Sequence, residues 1–252
     1  MKLENFLEHI YRQYNKKEFV SHDPLTFLYD YPNKRDREIV ALISSALAYG
    51  RVAQILKSVE SVLKPLGQNP HNFINGADEQ FFADEYNCFK HRFTCGVDIA
   101  GLLISVKKAL LEYGSLENLF YHGMKTSSNM IEAQHNFTNY LNSGKGSYLL
   151  PTPKKGSACK RLNLFLRWMV RSDEVDPGGW DKISPEHLIV PLDTHMLKVS
   201  QELKLTSRKQ GDLKTALEIT EAFKKINRSD PVKYDFALTR PGILGIKPEK
   251  FI

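Results

Sequence analysis

Two residues of this chain have the types and settings that covalent chemistry at a carbon centre needs: an amine, Lys160, and a carboxylate, Asp193. Lys160 lies in an acid-free stretch, Gly144 to Arg171, that holds seven basic residues: Lys145, Lys154, Lys155, Lys160, Arg161, Arg167 and Arg171. Ser157 is expected to cap a helix there, with Leu162, Phe165, Leu166 and Met169 facing inward. Lys160 then falls in the first turn, where the positive end of the helix works against a second positive charge and favours a nucleophilic amine. Asp193 stands in Pro191-Leu192-Asp193-Thr194-His195, just before the apolar pattern Met196, Leu197, Val199, Leu203. There it reads equally as an N-cap, worth about 1 kcal/mol over Ala. The two roles are compatible. A carboxylate held by backbone N–H groups is oriented, ready to stabilise a cationic sugar-like transition state or to take a proton.

Bland readings stand beside these. Lys160, Asn163, Arg167 and Arg171 follow at offsets of three, four and four, so they share one helix face away from the apolar stripe. Such a face is commonly just solvated. His195 can touch phosphate or substrate, and a lone first-turn histidine is often structural. No HExxH, Walker-type phosphate loop or GxSxG occurs, and no second His or carboxylate stands at metal spacing near Asp193. Gly178-Gly179 is a turn signal.

The elements that must position these groups read as helix after helix. Leu3, Phe6, Leu7, Ile10 and Tyr11 recur at helical spacing. Asp36 is placed to cap a helix carrying Ile39, Leu42, Ile43, Ala46 and Leu47. After a break at Gly50, the period resumes from Ile55 to Leu63, up to Pro65. Residues 66–97 are irregular. Asp98 is placed to cap a helix through Leu111 that stops near Gly114, and Ser115 to Tyr121 and Ser127 to Leu141 follow. Asn142-Ser143-Gly144-Lys145-Gly146 reads as a flexible turn. A loop runs from Asp173 to Pro185, and helices are predicted at Thr194–Leu203, Asp212–Ile226 and Asp230–Leu238. No repeat, low-complexity tract or sustained strand alternation is visible. The expected class is all-α, with 1–252 as one unit, or as lobes 36–143 and 144–252 across a cleft with 1–35 packing on one of them.

Composition bounds the rest. The 252 residues are 42% apolar and 25% charged, which is globular rather than disordered, and the net charge of +6 favours an acidic partner such as nucleic acid. Cys88, Cys95 and Cys159 form neither a disulfide framework nor an iron–sulfur spacing. No apolar run approaches the roughly 20 residues of a membrane span, and Met1-Lys2-Leu3-Glu4-Asn5 lacks an apolar signal core. A soluble, cytoplasmic protein is the expectation.

Taken together, Pro191-Leu192-Asp193-Thr194-His195 resembles the Val-Asp-Thr-His segment of the helix-hairpin-helix DNA glycosylases, the superfamily of endonuclease III and the 8-oxoguanine glycosylases. Leu149-Leu150-Pro151 through Lys160 is similar to a modified hairpin leading to their nucleophilic lysine. Ile43-Ser44-Ser45-Ala46-Leu47 resembles a Leu-Leu-Ser-Ala-Gln helix of the endonuclease III branch, and 231–242 sits where the superfamily has a closing helix. The coarse order covers 36–252, and the whole chain resembles a bacterial family grouped with this superfamily. It departs in three places. Leu-Pro-Gly-Val-Gly is replaced by Leu150-Pro151-Thr152-Pro153-Lys154-Lys155-Gly156. The interval from Lys160 to Asp193 is long, as in the archaeal 8-oxoguanine branch. Leu47 stands where a Gln fills the gap left by a flipped base.

The resemblance implies a two-lobed helical bundle with a central cleft and a lysine-dependent glycosylase/lyase acting on a damaged base such as 8-oxoguanine. Lys160 and Asp193 would be catalytic. Lys154, Lys155, Arg161, Arg167, Arg171 and His195 would contact DNA. Tyr49, Phe165, Trp168 or Trp180 would stack on the flipped base, although Phe165 and Trp168 also read as core, and Tyr49-Gly50-Arg51 would line the cleft. DNA is the expected partner, with no membrane, no metal, no cofactor and no iron–sulfur cluster, and protein partners are left open. Three alternatives stay open: a non-catalytic nucleic-acid-binding protein that retains the fold, a helical scaffold for protein partners, and a metal-dependent hydrolase using Asp193 with an acid such as Asp176.

Overall fold

Apolar residues at helical period dominate the chain, and helices dominate the structure. The computed structural model describes residues 2–142 and 148–246. The helices are α1 (Leu3–Tyr14), α2 (Lys34–Ala46), α3 (Val52–Leu66), α4 (Pro70–Gly76), α5 (Glu79–Glu85), α6 (Gly96–Tyr113), α7 (Leu116–Thr126), α8 (Met130–Leu141), α9 (Lys160–Val170), α10 (Thr194–Glu202), α11 (Leu213–Lys224) and α12 (Asp235–Leu244). Two-residue strands, β1 (Lys90–His91) and β2 (Thr94–Cys95), pair antiparallel between α5 and α6. The all-α class is therefore right. Among the described residues, no helix is long and apolar enough to cross a membrane.

Helix α2 is the central member. Every residue from Glu38 to Ala46 is buried, and the helix packs on α9, α3, α4 and α7. A helix enclosed on all sides can carry a polar residue only where a partner meets it. Glu38 illustrates this. Its carboxylate accepts from the backbone N–H groups of Leu116 and Glu117 at 2.9 and 3.1 Å, and from the Trp180 indole at 2.9 Å. One glutamate thus joins α2, the first turn of α7 and the loop after α9. A continuous buried apolar cluster extends from Phe6 to Leu238.

The caps differ from the sequence reading in instructive ways. Asn33, not Asp36, caps α2, and buried Asp36 instead accepts from the His71 backbone N–H at 2.9 Å. Asp98 lies three residues inside α6 and closes a capping box with Cys95. Irregular-looking residues 66–97 hold two short helices and the hairpin. The last helix begins at Asp235 and runs to Leu244 rather than spanning Asp230–Leu238. The expected turn at 143–147, with Lys145 and the 143/144 lobe boundary, lies outside the described residues.

Candidate active site

The turn before α9 is built with unusual care. Cys159 occupies the N-cap position in a left-handed conformation, φ 47° and ψ 41°. A non-glycine residue adopts that conformation at a cost of about 1 kcal/mol or more, so its surroundings must hold it. They do so from several sides. The Cys159 N–H donates to Ser157 Oγ at 3.1 Å, its thiol donates to the Pro151 carbonyl at 3.1 Å, and the Asn163 amide donates to the Ala158 carbonyl at 3.0 Å. Asn163 is itself fixed by the Gln134 amide at 2.7 Å. Ser157 bridges to Asp212, and the Leu213 N–H donates to the Gly156 carbonyl at 2.9 Å. Ser157 is therefore not the helix cap; it pins the turn from which Lys160 emerges as the first residue of α9. Burial pushes the Cys159 thiol up to about 11, so it stays a packing group.

Asp193 does cap α10. Its Oδ1 accepts from the Met196 N–H at 2.9 Å. The approach is held by buried Val190, Pro191 and Leu192, with the Val190 N–H donating to Thr220 Oγ1 at 3.0 Å. The second oxygen, Oδ2, stands 3.2 Å from Lys160 Nζ, and the two side chains are 36% and 20% exposed. Both open onto one cavity of about 680 Å³. Tyr49, Gly50 and Val52 supply one wall, the turn before α9 and Pro191–His195 another, and Arg240 and Ile243 of α12 a third. Tyr49 and Gly50 thus line the cavity as expected, whereas Arg51 is exposed outside it.

The basic residues part company. Lys154 and Lys155 are exposed in a tight turn, Pro153–Lys155, and His195 is exposed on the cavity wall, its ring lying over Gly242. Arg161, Arg167 and Arg171 are buried. Arg161 donates to the Ala46 carbonyl at 3.0 Å and to the Tyr148 carbonyl, and its guanidinium stands 4.7 Å from the ring centres of both Tyr49 and Tyr148. Arg167 is shared between Asp176 and Asp235, and Arg171 between Asp173, Asp176 and Asp230. The face holding Asn163, Arg167 and Arg171 is neither solvated nor free for phosphate. It is an internal ion network that fastens α9 to the 173–177 loop and α12. The Tyr11 hydroxyl and Asn15 amide reach Asp173 at 3.0 and 3.1 Å, tying α1 to the same network.

Charge in that network is set by burial against pairing. Burial pushes the Asp235 carboxyl up to about 6 against the pull of Arg167, and the Asp193 charge adds to the rise. Burial likewise raises Asp176, whose two oxygens are occupied by Arg167 and Arg171. Both Asp176 oxygens are thus engaged by arginines. Among the described residues, no group of three or more His, Cys, Asp or Glu is arranged to hold a metal ion.

The aromatic candidates also divide. Phe165, Trp168 and Trp180 are core residues, Trp180 standing edge-on to Phe165 at 5.0 Å. Leu47 is fully buried and does not reach the cavity. Tyr49 does line it, and so does Tyr148, which the sequence reading overlooked because it lies beside a Gly/Ser-rich segment with no periodicity.

A family described as a protein of unknown function (DUF2400) matches residues 23–244. The chain belongs to this family. The match runs from Asp23, which pairs with Arg240 at 3.0 Å, to the end of α12, so the DUF2400 region contains the whole cavity wall described above. No curated protein and no solved structure matches the chain.

Proposed function

We propose that this protein is a DNA base-excision enzyme, a lysine-dependent glycosylase/lyase, built on a helix-hairpin-helix glycosylase-like arrangement of two helical lobes about the cavity. The observation that carries the reading is the 3.2 Å approach of Lys160 and Asp193 at a cavity of about 680 Å³. Ligand pockets commonly span about 300–1,000 Å³, so this volume suits an extruded nucleotide. A cation–carboxylate pair at the surface has little worth for stability, about 0–1 kcal/mol, which makes a purely structural reason for the pair weak. Resemblance at Asp193-Thr194-His195 supports the same conclusion.

In this reading Asp193 accepts a proton from the Lys160 ammonium. The freed amine attacks the sugar C1′, a C1′–N bond forms, and the bond from C1′ to the base breaks. The base leaves with the electron pair and takes up the proton that Asp193 received, which returns Asp193 to its charged form beside the positive charge that develops on the sugar. Opening of the sugar ring gives a Schiff base to Lys160. Lys154, Lys155 and His195 are the exposed groups available for phosphate contact.

Borohydride trapping tests the proposal. Full-length protein mixed with DNA containing an abasic site or 8-oxoguanine is expected to give a covalent adduct that Lys160→Gln abolishes. Absence of any adduct, with salt-dependent DNA binding retained, would favour the non-catalytic nucleic-acid-binding reading.

A further inference from the structure

The β1–β2 hairpin reaches the cavity rim and takes no part in the chemistry above. Its turn presents Phe93, 68% exposed, beside Tyr148, 49% exposed. Their ring centres are 5.3 Å apart at 68°, and Tyr148 meets Tyr49 at 5.2 Å and 76°. Three rings therefore form a row from solvent to cavity. Guanidinium groups are interleaved with them: Arg92 stands 5.5 Å from the Phe93 ring centre, and Arg161 stands 4.7 Å from those of both tyrosines.

The row is held in place. The Tyr49 hydroxyl donates to the His91 carbonyl at 2.8 Å and lies 2.6 Å from Thr94 Oγ1. The His91 ring is fixed between the Tyr49 carbonyl and Ser58 Oγ, each at 2.9 Å. Arg92 adopts a left-handed backbone, φ 53°, and its side chain lies across Gly50, where a Cβ would fall 3.0 Å from Arg92 Cδ. The Gly50 backbone, φ 103°, also requires glycine. Phe93 is thus kept in water at the rim although burial of its ring would be favourable.

Exposed aromatic faces beside an exposed cation, here Arg92, are the chemistry that holds unpaired bases, since every base has a π-face and each phosphate a charge, while buried Arg161 braces the two tyrosine rings from within. Bases in an intact duplex are stacked on one another and offer no faces along a row of protein rings. We propose that Phe93 and Tyr148 stack the bases flanking the nucleotide in the cavity, and that the preferred substrate is single-stranded or locally unpaired DNA. This rests on the reading that a nucleotide occupies the cavity.

The test compares a short fluorescent single-stranded DNA carrying a tetrahydrofuran abasic analogue with its duplex, by anisotropy, using the full chain. The single strand should bind more tightly. Phe93→Ala should weaken single-strand binding by roughly 5- to 150-fold, the range of one base–ring stack, and leave duplex binding unchanged, while Phe93→Trp should restore it. Equal single-strand affinity in Phe93→Ala, or tighter binding of duplex, overturns the proposal and leaves the rim as a protein-contact surface. Lys160→Gln and borohydride separate the two claims. If no adduct forms but Phe93→Ala still weakens single-strand binding, stacking stands and excision falls. Adducts on duplex with Phe93 neutral give the reverse.

Discussion

One oxygen of Asp193 is fastened to the backbone of α10 at Met196, and the other faces the Lys160 amine at 3.2 Å. The carboxylate therefore serves the helix and the cavity through different atoms. Substitutions should separate these roles. Asp193→Asn retains a good N-cap and removes the charge, so unfolding free energy should change by only a few tenths of a kcal/mol. Adduct formation should fall by two orders of magnitude or more if the proposed chemistry is right. Asp193→Ala should lose both, with about 1 kcal/mol of stability. Urea unfolding beside borohydride trapping measures the split. Asp193→Asn with undiminished trapping would sink it.

Arg167 is a structural residue by its surroundings. Removing it leaves Asp235 buried without its ion-pair partner and Asp176 with Arg171 alone, at a cost of roughly 3–5 kcal/mol. Arg167→Met should lower the denaturation midpoint sharply, with little change in the salt dependence of DNA binding. A variant of unchanged stability and weakened DNA binding would return Arg167 to the phosphate-contact role.

Lys154 and Lys155 should behave in the opposite way. Both are exposed, and neither makes an ion pair within 4 Å among those between described residues. Replacing both by Ala should leave stability almost unchanged. The slope of log binding constant against log salt should become shallower by about 1.5–2, the yield of two phosphate contacts. An unaltered slope would show that DNA takes another path.

Glu38 makes stability depend on pH. Burial pushes its carboxyl up to about 7 from an ordinary 4.5, only partly opposed by the Leu116 and Glu117 N–H groups and the Trp180 indole. The folded state then binds the proton more tightly than the unfolded state. Stability from this group is fully present below about pH 4.5 and is lost as pH rises through about 7, by roughly 3 kcal/mol across that window. The difference in unfolding free energy between wild type and Glu38→Gln should follow that slope. A pH-independent difference would remove Glu38 as its source.

The helices carrying apolar period were legible in the sequence because that period is a local property. So were two features of the site, a first-turn lysine and an aspartate capping α10, since caps and first turns are decided within a few residues. What local pattern could not supply was the partner of each charge. The acid-free run to Arg171 reads as a free cationic surface, yet Asp173, Asp176, Asp230 and Asp235 return from later in the chain to neutralise Arg167 and Arg171 inside the protein. Hairpin β1–β2 escaped notice because two-residue strands are too short to alternate.

Local chemistry alone settled the helical class, the lysine and the carboxylate as residues worth watching, and the absence of a membrane-length apolar run. Only the tertiary structure decided that Lys160 and Asp193 share a cavity, that Arg167 and Arg171 are buried in ion pairs, and that Phe93 stands in solvent at its rim. The reason is physical. Secondary structure answers to neighbours a few positions away, whereas desolvation and ion pairing answer to whatever folding brings within a few ångströms, regardless of its place along the chain.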